Sequence, residues 1–365
     1  HYAGNIRDHA HWGKTPGVPS ATAAAGGGHA HAGLMIYLGD SWPAQYRGQA
    51  FMNNIHGARI NMDILKPRGS GYIASHGADF VQFNDRWSQI INLRYDHDGS
   101  VYLIDWYDKN QCHRREPDSH DRSNGRVFKV VYQDEKRTTV DLAKRTDVEL
   151  VKLQAHPNEW YARHARRALQ ERLNTMHRQW SPMSPDAKQN AAAWQKTRDH
   201  AFAIIDPILK TQLATGGKGK TTALRLRALW CLHGIDGLAE ADLLELLKDR
   251  DAMLRSWAIQ LLCENKKPSA AARGEFARMA REDKSPIVRM YLASALTRTP
   301  VAQRAKVLSG LLSHAEDATD PNLPHLYWYA TEPVIAANKT AAIQLLTKTK
   351  IPKVRQYITR RLASK

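Results

Sequence analysis

Histidines and arginines at the mouths of short apolar runs are what this sequence offers for chemistry. His29 and His31 lie between Gly28 and Gly33, just ahead of the run Leu34–Tyr37. His56 follows the run Phe51–Ile55, which carries Asn53 and Asn54, and Arg59 comes three residues later. Arg86, preceded by Asn84 and Asp85, opens another apolar stretch. Neutral imidazoles accept protons, carboxamides donate and accept, and a guanidinium carries fixed charge, a set suited to a polyol or an anionic cofactor. The competing reading is structural: histidines that satisfy backbone groups at strand ends, and an arginine laid on an aromatic ring.

A second cluster gathers Asp105, Asp108, Cys112, His113 and His120. Aspartates and histidines in a connection between strands offer ligands to a metal, although their spacing matches no defined site. Arg114, Arg115 and Arg122 stand beside them, so loop-locking ion pairs are the alternative.

The elements that must position these groups read as strands. Leu34–Leu38, Phe51–Ile55, Ala58–Ile64, Gly71–Ser75, Ile90–Tyr95, Val101–Trp106 and Gly125–Tyr132 are runs of four to eight residues separated by Gly, Asp and Pro turns. That pattern predicts an antiparallel all-β unit. Asp96-His97-Asp98-Gly99 is a hairpin turn in which Gly99 supplies a positive φ. Propeller blades of about 40–45 residues suit the spacing, which gives roughly three blades over residues 1–135. Three blades do not close a ring, so further blades are expected upstream.

These residues carry a resemblance. Gly27–Tyr37, Trp42-Pro43 with Tyr46–Gly48, Phe51–Gly57, Asp105–Asp108 and His120–Lys129 resemble the membrane-bound dehydrogenase-type proteins of planctomycetes and verrucomicrobia. In those proteins a propeller similar to soluble quinoprotein glucose/sorbosone dehydrogenases continues into HEAT-like helices and often ends in a c-type haem domain. The resemblance implies an exported protein, periplasmic or membrane-associated, that oxidises a sugar or alcohol with pyrroloquinoline quinone and calcium and passes electrons to a cytochrome c. It implies a catalytic histidine base in an early blade, upstream of this chain. It also puts His56 on the strand of a cofactor-contacting lysine and Arg86 at a cofactor-contacting arginine. A second such arginine falls near Ser88 or Gln89, and no haem-attachment motif occurs.

From Asp147 the period becomes helical. Leu243–Leu247, Asp249, Arg255, Leu261 and Leu262 recur as Phe276, Met279, Asp283, Arg289, Ala295 and Leu296, an offset of 34 residues. Pro157, Arg163 and Leu169 form a looser first copy. An aspartate followed six residues on by an arginine predicts a HEAT-like α-solenoid over residues 140–365, the aspartate capping the second helix and the arginine tying neighbouring repeats. Gln179–Asn190, with two prolines, reads as a linker. Ala214–Thr221 resembles a phosphate-binding loop, but alanine replaces its first glycine and Ala201–Leu213 reads as helix, so it is a decoy.

Composition narrows the classes further. The formal charge of +17 is unevenly divided: residues 1–136 hold 15 Lys and Arg against 14 Asp and Glu, and the remainder 38 against 22. The basic half suits an acidic protein, an anionic polysaccharide or a membrane surface, and no nucleic-acid module accompanies it. Three cysteines without a Cys-x-x-Cys pair exclude zinc-ribbon and dithiol chemistry. No apolar run approaches the roughly 20 residues of a membrane span. Two functions follow as expectations: a part of a quinoprotein-like dehydrogenase that lacks independent turnover, or a non-catalytic scaffold binding a polysaccharide on the propeller and a protein on the solenoid.

Overall fold

Alternating apolar and polar residues build eight strands among the described residues: β1 (His31–Ile36), β2 (Ala50–Asn54), β3 (Arg59–Arg68), β4 (Gly71–His76), β5 (Val81–Gln82), β6 (Ile90–Tyr95), β7 (Val101–Asp105) and β8 (Arg126–Val130). The computed structural model describes residues 31–110, 119–133, 139–173, 187–214 and 220–364, so His29, Cys112 and His113 lie outside it. The strands form two open antiparallel sheets, one ordered β1-β2-β3-β4 with β5 also on β3, the other β6-β7-β8. Seven strands match the sequence reading. The two-residue β5 does not announce itself by alternation, and the strands make two sheets where about three were expected.

Register decides which side chains the sheets share. Phe51 faces Met62 and Asn53 faces Ile60 across β2 and β3, with Met35 opposite Phe51 on β1. This side joins Ile90, Leu93, Val101 and Leu103 of the second sheet in one core with Tyr37 and Trp42. Tyr37 is its post: its ring stacks on Trp42 at 4.4 Å, and its hydroxyl donates to Gly99 O at 2.7 Å while accepting from Trp42 N. Gly99 takes φ +76°, as its hairpin requires.

Gly33 and Tyr37 also set the sense of the sheets. A Cβ on Gly33 would lie 2.8 Å from Asn92 Cα, and the Tyr37 hydroxyl reaches the turn after β6. The strands β1 and β6 therefore run side by side in the same direction. Gly33 itself has φ +65°, so both space and backbone exclude a side chain there.

Twelve helices follow among the described residues: α1 (Asp147–Lys152), α2 (Glu159–Leu173), α3 (Ala187–Ala214), α4 (Lys220–Gly234), α5 (Glu240–Leu246), α6 (Ala252–Leu262), α7 (Ala270–Glu282), α8 (Pro286–Leu296), α9 (Ala305–Leu311), α10 (Leu323–Ala337), α11 (Lys339–Lys348) and α12 (Pro352–Ala363). Ala187–Asn190, read as linker, is the first turn of α3; of the phosphate-loop decoy, Ala214 ends α3, Lys220 and Thr221 open α4, and the rest lies outside the described residues.

The chain divides into two units, residues 1–66 with 73–168, and residues 67–72 with 169–365. The first helices thus group with the strands, past the boundary near 135–140 that the sequence suggests. Their contacts explain it: Asn158 Nδ2 donates to Asp96 O and His97 O, and Glu159 N donates to Leu38 O.

In the second unit α4, α6, α8, α10 and α12 lie side by side in one layer, and α5, α7, α9 and α11 in another. Arginine–aspartate pairs run along it. Arg225 pairs with Asp249, Arg255 with Asp283, and the buried Arg289 with the buried Asp317. Each of Arg255 and Arg289 also donates to the carbonyl six residues before it, Asp249 O or Asp283 O. The tie between copies is as expected, but the aspartates do not cap. Asp251 and Ser285 are the N-caps, and Asp249 and Asp283 accept from those residues' N–H groups in the preceding turn.

Candidate functional site

Four strand ends meet at one end of the first sheet: β1 and β3 begin there, and β2 and β4 finish there. His31 pairs across β1–β2 with Asn54, which pairs in turn with Arg59. Because opposed residues share a face, these three point away from the core. Arg59, Asn61 and Asp63 alternate down that face of β3.

A polar network ties them. His31 Nε2 lies 3.3 Å from Asn61 Nδ2, and Arg59 Nε donates to Asn61 Oδ1 at 3.2 Å. The Arg59 guanidinium stands 3.3 Å from Asp79. His76 sits between two carboxylates, 3.5 Å from Asp63 and 3.3 Å from Asp79. Burial pushes the Asp63 carboxyl above its ordinary value, only partly offset by the hydrogen bond and charge of His76 and by the charge of His31.

Asn54 turns the chain rather than facing a ligand, since its Oδ1 accepts from Gly57 N and holds the β2–β3 turn that carries His56. Asn53 points the other way. It is fully buried on the core side, its amide nitrogen lies where a Gly33 side chain would be, and among the described residues neither amide atom has a hydrogen-bond partner.

The second sheet brings its candidates to the same end, because β6 runs with β1, β7 finishes opposite the start of β6, and β8 starts opposite the end of β7. Arg86 is exposed on the turn before β6. Asp105 is buried and fully occupied: Oδ1 accepts from Gln89 N and Tyr107 N, and Oδ2 accepts from Ser88 Oγ and Arg126. Asp108 Oδ1 accepts from Asp121 N and Asn110 N, and its Oδ2 lies 2.8 Å from His120 Nδ1. Burial alone would raise the Asp108 carboxyl, but the Asp121 amide, His120 and the Asn110 amide outweigh it and hold the carboxyl at about 2. Among the described residues no group of three His, Cys, Asp or Glu is placed to hold a metal ion.

Backbone strain gathers here as well. Ala58, Asn84 and Tyr107 take φ of +46°, +53° and +51° in connections at this end, whereas Gly48 and Gly99 serve turns at the other. Such conformations cost about 1–3 kcal/mol each and persist where surrounding contacts over-determine them.

The residues singled out in the sequence, His31, His56, Arg59 and Arg86, thus lie at one end of the two sheets, and further polar residues that the sequence reading did not name join them there. Asn61, Asp63, His76 and Asp79 gave no compact motif, although Arg59, Asn61 and Asp63 at period two on one strand was a usable signal. At this end of the sheets Arg126 lies over a ring, 3.6 Å from the centre of Tyr107, and among the described residues Arg86 makes no such contact.

Residues 10–134 match a family described as "Domain of unknown function (DUF7133)". The match covers the strands and stops before the helices. A comparison with curated proteins returns no match.

Proposed function

We propose that this chain is the closing part of a β-propeller joined to a HEAT-like α-solenoid, within an exported quinoprotein-like dehydrogenase that oxidises a sugar or alcohol and delivers electrons to a cytochrome c. One observation carries the reading: His31, His56 and Arg59 of one sheet and Arg86 of the next come to the same end of two neighbouring sheets whose first strands run in the same direction. Side-by-side first strands are how propeller blades surround an axis, and the paired helix layers with their repeating arginine–aspartate ties are how HEAT-like repeats stack.

The described residues do not fit every group the resemblance implies. A calcium ion needs free oxygens, and both carboxylates offered to it, Asp105 and Asp108, are filled by protein donors. A quinone bearing carboxylates needs a cationic cradle, but Arg59 is held by Asp79 and Asn61 and Arg126 by Asp105, so Arg86, exposed on its turn, is one charge rather than a cradle. No step is assigned to either group on this chain. Its own residues serve the substrate: His31 and Arg59 offer an imidazole and a guanidinium to hydroxyl groups, and Asn61, buried between them, holds them in place together with Asp79.

Dye-linked oxidation by the full-length protein tests this across a sugar and alcohol panel, with and without added pyrroloquinoline quinone and calcium. Quinone-dependent turnover of at least one substrate supports it; no turnover across the panel overturns it. A scaffold role is the second reading. A groove of about 370 Å³ lined by Met290, Tyr291, Ser294, Leu326 and Arg298 favours it, as a seat for a partner protein. Glycan-array and pull-down binding without turnover would select it.

A further inference from the structure

We infer that Arg304, at the head of α9, binds a phosphate group, either the free ion or the ester of a small molecule. Arg304 is 8% exposed, and among the described residues its side chain makes one hydrogen bond, from Nε to Thr299 O at 2.9 Å. Its two terminal nitrogens meet no carboxylate and no carbonyl there. A charge taken out of water needs an opposite charge or a full set of hydrogen bonds, and a guanidinium cannot answer burial by giving up its proton.

Two arginines buried as deeply show how this chain meets that need elsewhere. Arg225 grips Asp249 with both terminal nitrogens, and Arg289 grips Asp317 through Nε and Nη2. Burial pulls the pKa of Arg289 and of Arg304 down alike; Asp317 more than restores the first, and no charge restores the second. One repeat earlier Arg273 makes the same reach, to Pro268 O five residues before it, but it is only half-buried, where water serves its charge. Arg304 thus keeps the deep placement of the paired arginines without their carboxylate. Its fork of N–H donors matches the oxygens of phosphate, whose double charge suits a half of the chain with 38 Lys and Arg against 22 Asp and Glu. The terminal nitrogens keep access to solvent, so a small anion reaches them. Arg304 belongs to the helical unit and the strand histidines to the other, so phosphate binding here stands whether or not the protein oxidises a sugar.

Thermal melting of the full-length protein tests this in about 50 mM sodium phosphate, glycerol phosphate or acetate, each against sodium chloride of equal ionic strength. Inorganic phosphate should raise the melting temperature of the parent by about 2–4 °C. A gain from inorganic phosphate alone assigns the free ion, and a gain from glycerol phosphate as well admits an ester. Arg304→Met removes the buried charge, so it should melt no lower than the parent in chloride and gain less than about 1 °C from phosphate. No gain in the parent, an equal gain from acetate, or equal gains in parent and Arg304→Met each overturn the inference. Equilibrium dialysis with radiolabelled phosphate, comparing the parent with Arg304→Lys, keeps the test open should Arg304→Met fail to fold. Binding weakened at least about fivefold in Arg304→Lys, which keeps the charge and loses the fork, supports the site, and equal binding overturns it.

Discussion

At the residue scale, two aspartates in one unit behave oppositely, and neither behaviour was legible in the sequence. Asp63 reads as one polar residue on an alternating strand, and only the register shows it buried between His76 and the β3 face. Its folded value is raised, so its contribution to stability is full below the ordinary carboxylate range and is lost as pH rises through the raised value. Asp63→Asn should therefore melt higher than the parent at about pH 8 and together with it at about pH 4. Differential scanning calorimetry at the two pH values checks this, and equal melting at both contradicts it. Asp108 is the mirror case. Held at about 2, it stabilises the fold above the ordinary value of 3.8, and that contribution is lost only as pH falls through about 2. Asp108→Asn removes the charge that accepts from Asp121 N and pairs with His120, and should cost about 2 kcal/mol at neutral pH by urea unfolding. The sequence suggested metal binding here, with loop-locking as the alternative. Backbone N–H groups, His120 and Arg126 fill Asp105 and Asp108 instead of the neighbouring arginines that reading named, of which Arg114 and Arg115 lie outside the described residues.

At the element scale, the sequence was most informative where a period repeats. Seven of eight strands followed from alternation and turn residues, and the 34-residue offset placed the arginine–aspartate ties. The caps were misassigned because Asp249 and Asp283 sit two residues before the true N-caps, and an aspartate in a turn and an aspartate at a cap look alike in sequence. The tie between Arg289 and Asp317 is the most buried of the three, and Tyr327 donates to the same carboxylate. Arg289→Met should destabilise the helical unit by about 3–5 kcal/mol, since it strands a buried charge. Adding Asp317→Asn should recover part of that loss in a double-mutant cycle. Equal unfolding midpoints for Arg289→Met and the parent would refute the tie. Gly310 marks another limit of sequence reading: it looks like a helix flaw, but a Cβ there would lie 2.9 Å from the Ala280 backbone on α7. Gly310→Val should force α9 off α7 and lower the unfolding midpoint.

At the scale of the whole molecule, charge and chemistry are segregated. The strands are nearly neutral and carry the histidine network, and the helices carry the basic excess. Which candidates share one end of the sheets was legible only as a guess about strand mouths, because sequence does not say that β6 runs alongside β1. Asn53 shows the cost: one residue from Asn54, it points to the opposite face, into the core. The central claim is that His31 and Arg59, held by Asn61, bind the hydroxylated substrate of a dehydrogenase. Steady-state kinetics of the full-length protein on its best sugar or alcohol, comparing His31→Ala and Arg59→Met with the parent, test it most directly. We expect KM to rise about tenfold with kcat within about threefold, the signature of lost substrate binding. Unchanged KM in both variants, with melting temperatures intact, would contradict the account.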